Sequence, residues 1–261
     1  MSPDSLPTGP LREGPLRTGP LRTEIADRVL TLTIDRPEAK NALTLAMRRQ
    51  IEGLAREVDD DDAVDVVVLT AVDPVFCAGA DIKEIVALGA SLTPTNPGAA
   101  LRSIGKPVIA AVNGACVTGG LELMLSCDIV VASDRARFAD THAKLGALPR
   151  WGMSALLPRA VGVAKAKEIT ATGAFVDAEE ALRIGLVHHV VPHDELGTRT
   201  RELCAAIVAA NQRAVRASIN LYDRGNGMSL ADALALEAEV GGAWTVDTAT
   251  FGQEPRDSRD G

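Results

Sequence analysis

Two glycine-rich turns, each set between an apolar strand pattern and a helix pattern, constrain this chain more than any other feature. The first is Val75-Phe-Cys-Ala-Gly-Ala-Asp-Ile-Lys83 and the second is Ala111-Val-Asn-Gly-Ala-Cys-Val-Thr-Gly-Gly-Leu-Glu-Leu123. Each puts backbone N–H groups without intrahelical acceptors at a helix start, where partial positive charge gathers. An anion can settle in such a place, and either turn taken singly is equally compatible with a purely structural role. Neither turn has the spacing of the dinucleotide fingerprint GxGxxG or of a phosphate loop ending in Gly-Lys-Ser/Thr.

The pattern around the turns is that of an α/β layer fold. Residues 29–34 read as a strand, and Asp35-Arg-Pro-Glu-Ala-Lys-Asn-Ala-Leu43 as a turn into an amphipathic helix that runs to Val58. Near-continuous apolar runs at 64–70, 107–112 and 128–132 are strands of the kind buried on both faces of a parallel sheet. A helix at 119–126 separates the last two, and strands alternating with helices imply parallel pairing. Asp59 to Asp62 read as a solvated connection, and residues 88–100 as a flexible loop. The last third is helical, over 164–172, 178–184, 194–210, 213–222 and 230–245. Aromatic residues make up only 3% of the chain, so its core must be built from small aliphatic side chains packed closely.

At the N-terminus Gly-Pro-Leu-Arg recurs at Gly9, Gly14 and Gly19. Its Gly-Pro steps forbid helix and discourage a central strand, so residues 1–22 read as a disordered arm. A net charge of −8 and the lack of any basic cluster interleaved with aromatics argue against a nucleic-acid partner. The four cysteines show no CxxC spacing and stand in apolar stretches, as buried free thiols of a reducing cytoplasm do. No apolar run reaches the length of a membrane span, and no signal peptide is expected. His188, His189 and His193 alternate in direction along a strand and have no completing ligand, so no metal site is expected.

Together, the two turns in this order and separation resemble the crotonase (enoyl-CoA hydratase/isomerase) superfamily. The resemblance runs from about Ile25 to about Thr245. It is carried further by Asp35–Leu43, Lys106-Pro-Val-Ile-Ala-Ala-Val-Asn-Gly114, Cys127-Asp-Ile-Val-Val-Ala132, Phe138-Ala139 and the Gly-Leu-Val at Gly185. It implies a ββα spiral core over residues 23–190, a C-terminal helical trimerisation region over 191–250 and a flexible tail over 251–261. It also implies an acyl-CoA ligand of fatty acid metabolism, no separate cofactor, and a trimer or a dimer of trimers.

For the site, the resemblance implies that the N–H groups of Ala80 and Gly119 form an oxyanion hole for the thioester oxygen and that Glu122 is a catalytic carboxylate. Ala78, Asp81, Ile82, Lys83, Lys40 and Gly120 match the motifs along the bound substrate, with Arg36 a lesser candidate for its phosphates. At the position of the family's second glutamate this chain has His142, within Asp140-Thr-His-Ala-Lys-Leu-Gly-Ala-Leu-Pro-Arg150. Histidine transfers protons near neutral pH, so His142 is a candidate catalytic residue. The departure leaves three readings open: a lyase that hydrates 2,3-enoyl-CoA, a double-bond isomerase, and an acyl-CoA-binding protein without turnover.

Overall fold

A computed structural model describes residues 14–17, 19–89 and 94–246. Its strands are β1 (Gly14–Arg17), β2 (Leu21–Ala26), β3 (Val29–Ile34), β4 (Val66–Ala71), β5 (Val75–Cys77), β6 (Val108–Val112), β7 (Ala115–Val117), β8 (Ile129–Ser133), β9 (Arg137–Ala139), β10 (Val176–Asp177) and β11 (His189–Val191). They form a seven-stranded sheet in the order β1-β2-β3-β4-β6-β8-β11 and a four-stranded sheet in the order β10-β9-β7-β5. From β3 to β11 the large sheet is parallel, as the continuous apolar runs require. One face of it carries Val67, Leu69, Ala110, Val112, Val130 and Ala132 into the main core.

The helices are α1 (Leu45–Val58), α2 (Ile82–Leu88), α3 (Pro97–Arg102), α4 (Gly119–Met124), α5 (Met153–Val161), α6 (Val163–Thr172), α7 (Ala178–Arg183), α8 (Leu196–Val208), α9 (Gln212–Gly225) and α10 (Leu230–Gly242). Helix α1 starts where the Thr44 hydroxyl accepts from Met47 N at 3.2 Å, and it buries Met47, Ile51, Leu54 and Val58. Spacings of three and four residues put these side chains on one face.

Three expectations are corrected. Residues 14–22 are not a disordered arm: the second Gly-Pro-Leu-Arg copy is β1, and the third opens β2. Proline is tolerated in β1 because that strand lies at the sheet edge, where a missing N–H removes no ladder bond on the open side. Strand β2 alternates buried and exposed residues, with Leu21, Thr23 and Ile25 inward. The first copy, at Gly9, lies outside the described residues, as does the tail 251–261. The loop assigned to 88–100 ends in helix, since Pro97 begins α3 under an Asn96 cap, while residues 90–93 lie outside the described part.

The third correction concerns the core boundary. The compact unit does not end at residue 190 but continues to Arg216. Helix α8 belongs to it because Leu196 and Cys204 pack on the other face of the large sheet, against Val66, Val68, Ile109, Ala111 and Val131. Residues 217–246 form a second unit, in which Leu236 of α10 is buried. Among the described residues no helix is long and apolar enough to cross a membrane.

Candidate active site

The four-stranded sheet, through its parallel strands β5 and β7, is what brings the two glycine turns together. Strands β5 and β7 pair in register at Cys77 and Cys116, and each runs directly into its turn. Gly79 takes φ +96°, a conformation that L side chains rarely adopt. A Cβ there would stand 2.9 Å from Gly119 N, so the two turns are in van der Waals contact through backbone alone. Gly120 is equally constrained: its Cβ would stand 2.2 Å from the Cys77 carbonyl oxygen, which seats the start of α4 on β5.

The sequence expectation singles out two N–H groups, and backbone pairing explains why both are free. Leu43 bridges the first turn by donating to Gly79 O at 2.8 Å and accepting from Asp81 N at 3.0 Å. In such a parallel bridge the flanking residues make the bonds, and the N–H of the middle one, Ala80, points away. Gly119 is the first residue of α4, whose opening N–H groups lack intrahelical acceptors. Among the described residues neither the Ala80 nor the Gly119 N–H has an acceptor. Thr118, just before Gly119, holds φ 56° although it is β-branched, a costly conformation. It is fixed by its N–H to Ala139 O at 2.9 Å and by its hydroxyl, 2.5 Å from that of Thr141.

Glu122 lies one turn into α4 and is 2% exposed. Its Oε1 accepts from Trp151 N at 2.6 Å and from Met153 N at 3.2 Å. These bonds fix the carboxylate and leave Oε2 facing His142 Nε2 at 3.6 Å. His142 is buried too, and its Nδ1 stands 2.7 Å from Asp140 Oδ1. Asp140 accepts further bonds from His142 N at 3.1 Å and from the Thr170 hydroxyl of α6 at 2.8 Å. Burial alone would raise the Asp140 carboxyl, but the bonds from the His142 ring, Thr170 and His142 N hold it below the ordinary carboxylate range.

The other sequence candidates separate into two groups. Lys40, Ile82 and Lys83 are exposed along the first turn, and Ala78, partly buried there, donates its N–H to Lys40 O at 3.2 Å. Asp81 has no free carboxylate oxygen: Oδ1 caps α2 by accepting from Lys83 N and Glu84 N, and Oδ2 accepts from Arg36 at 2.5 Å. Arg36, which also donates to Ala42 O, is thereby tied to the fold.

Three residues escaped the sequence reading: Asp140, Thr170 and Trp151. The Trp151 indole lies on Gly119, so that a Cβ at 119 would stand 2.6 Å from the ring. Its Nε1 donates to Thr95 O at 2.9 Å, and the Arg48 guanidinium stands 5.9 Å from the ring centroid. Arg102 of α3 braces the same loop through Trp151 O at 3.1 Å. Asp140 had one available signal, its place two residues before His142, within reach of that residue's backbone and ring.

Comparison with known proteins identifies relatives over most of the chain. Residues 24–249 match the family model described as enoyl-CoA hydratase/isomerase. A probable peroxisomal enoyl-CoA hydratase of Arabidopsis thaliana is 38% identical over 214 residues, covering 81% of each chain. A short-chain-enoyl-CoA hydratase of Clostridium acetobutylicum is 37% identical, covering 82% of this chain and 85% of its own. Among solved structures, an enoyl-CoA hydratase from Mycobacterium tuberculosis superposes with a TM-score of 0.75 at 46% identity, over 85% of this chain and 97% of that one.

Proposed function

This chain belongs to the enoyl-CoA hydratase/isomerase family, the crotonase superfamily, and from that premise we propose that it adds water across the 2,3 double bond of an enoyl-CoA thioester. The observation that carries the proposal is the buried pair of Glu122 and His142, facing each other at 3.6 Å beside two backbone N–H groups that have no acceptor. That separation is too long for a direct hydrogen bond and short enough for both groups to hold one water.

In this reading the thioester oxygen sits against the Ala80 and Gly119 N–H groups. When the water oxygen bonds to C3, the electron pair of the double bond moves toward that oxygen, and the two donors stabilise the charge. Each donor of such a hole is worth about 3 kcal/mol of barrier. Glu122 Oε2 takes one proton from the attacking water and delivers it to C2, so that OH and H have been added. His142 Nε2 accepts the water's other O–H and aims its lone pair at C3. Lys40 and Lys83 provide cations near the first turn for the phosphates of coenzyme A.

The four free cysteines fit a reducing cytoplasm, the compartment this reading assigns. Assembly as a trimer, or a dimer of trimers, belongs to the same reading. The test incubates the full chain with crotonyl-CoA and, separately, with a 3-enoyl-CoA, and follows the products by mass. Formation of 3-hydroxybutyryl-CoA is expected. A shifted double bond without hydration, or no product from either, would overturn the proposal.

A further inference from the structure

The geometry points to Asp140 as a positioning residue for the hydration proposed above: it fixes the His142 ring so that the unprotonated Nε2 faces Glu122 and the water between them. A neutral imidazole has one N–H and one lone pair, and its neighbours decide which nitrogen carries which. Asp140 Oδ1 receives both the His142 backbone N–H at 3.1 Å and the His142 ring Nδ1 at 2.7 Å. An ionised carboxylate has no proton to give, so the Nδ1 must be the donor. In the neutral ring that the proposed step requires, Nε2 is then the acceptor, and it is the nitrogen directed at Glu122 Oε2.

Two features show that this carboxylate is aimed and not incidental. Asp140 is fully buried, and its second oxygen is held from another element, by the Thr170 hydroxyl of α6 at 2.8 Å. The carboxylate is thereby fixed at both ends, and so is the plane of the ring bonded to it. The His142 ring has no other hydrogen-bond partner among the described residues. Without Asp140 it would be free to carry its proton on Nε2, where it would compete with the water instead of receiving from it. The order is therefore Thr170, Asp140, His142, water, with only the last two in contact with the reacting atoms.

Replacement of Asp140 by asparagine keeps an acceptor for the His142 ring. The amide oxygen would take the place of Oδ1, because the His142 backbone N–H requires an acceptor there, and the amide nitrogen would turn to the Thr170 hydroxyl oxygen. The Asp140→Asn variant can therefore hold the same imidazole tautomer, whereas Asp140→Ala cannot.

The inference rests on the hydration reading, and the experiment separates the two. Hydration of crotonyl-CoA by the full chain is measured for wild type, Asp140→Ala, Asp140→Asn, His142→Gln and the Asp140→Ala/His142→Gln double variant. Asp140→Ala is expected to lower kcat more than tenfold with KM within twofold, and Asp140→Asn to recover at least tenfold over alanine. The double variant should lie within threefold of His142→Gln alone, because Asp140 acts only through that ring. A kcat loss under tenfold in Asp140→Ala, or a further loss beyond threefold in the His142→Gln background, overturns the inference. Should Asp140→Ala fail to fold, Thr170→Val takes its place, with kcat lowered at least threefold at unchanged KM and recovered by Thr170→Ser; wild-type kcat in Thr170→Val overturns it equally. Nitrogen NMR of histidine-labelled wild type must show His142 protonated at Nδ1 and not at Nε2, and the opposite result overturns the assignment whatever the activity. Wild type that folds but hydrates no enoyl-CoA overturns the functional reading, while the NMR result still decides the tautomer.

Discussion

At the scale of single residues, the candidate site divides into what spacing reveals and what only folding brings in. Ala80, Gly119 and Glu122 stand where the family resemblance places them, inside the two glycine-rich motifs, and the fold sets those motifs against each other. Trp151 and Thr170 enter only because the loop before α5 folds onto Glu122 of α4 and because α6 reaches Asp140, which no local pattern encodes. Glu122→Gln should lower kcat about 10²- to 10⁴-fold with KM within a few-fold. Gln Oε1 still accepts from Trp151 N and Met153 N, so the loop stays in place. A steady-state assay in which Glu122→Gln kept wild-type kcat would remove Glu122 from the chemistry. Gly119→Ala tests the contact between the turns: its Cβ would meet Trp151 at 2.6 Å and Gly79 Cα at 3.1 Å. Overpacking of this kind costs about 1–3 kcal/mol, and it displaces the indole whose backbone holds Glu122. Lower thermal stability and at least tenfold lower kcat are expected together. Native values of both would show that the indole yields freely.

Among elements, the long apolar strands and the amphipathic helices other than α5 were legible to within two or three residues, because burial on both faces or on one stripe leaves a period in the sequence. The four-stranded sheet was not, since β7, β9 and β10 have two or three residues each, too few for any period. The N-terminal strands escape the sequence because Gly-Pro steps oppose a strand everywhere except at a sheet edge, which is where β1 lies. Leu21 is 1% exposed and part of the main core. Burying a leucine is worth about 1.5–3 kcal/mol, and β1 and β2 add ladder bonds. Deleting residues 1–22 should therefore lower the melting temperature by about 5 °C or more, and calorimetry showing no change would mean that these strands contribute nothing. The ties between elements also set acid stability. Asp65 next to Arg28, Asp81 next to Arg36, and Asp140 next to His142 all have carboxyls held below the ordinary value. A group depressed on folding stabilises the fold above its unfolded pKa, near 4, and loses that contribution as pH falls through the folded pKa. The melting temperature should thus change little between pH 7 and 5 through these groups and fall below about pH 4. The variant Asp65→Asn should weaken that acid dependence, and an unchanged curve would reject Asp65 as a source of it.

For the whole molecule, what the sequence could not decide was whether its apolar helices cover their own sheet or a neighbour. Helix α8 covers its own: Leu196 and Cys204 are buried on the large sheet, with Leu203 and Ile207 packed beside them. Helix α10 differs, since Leu230 is 77% and Leu234 56% exposed, and Tyr222 and Met228 in the same unit are open as well. Single exposed apolar residues need no explanation, but several within one short unit form a surface that water disfavours. Covering two leucines and a tyrosine removes apolar area worth several kcal/mol at about 25 cal/mol per Å², a driving force for association. Closed rings satisfy every copy of such a surface equally, and the assembly proposed above is the three-fold one. Light scattering at micromolar concentration should give three or six times the 27.3 kDa of one chain. Replacing Leu230 and Leu234 together by Asp should shift the protein toward smaller species if these leucines are what the neighbour covers. A wild-type mass of one chain would reject the assembly, whereas a trimer unaffected by the double substitution would place the contact elsewhere on the molecule.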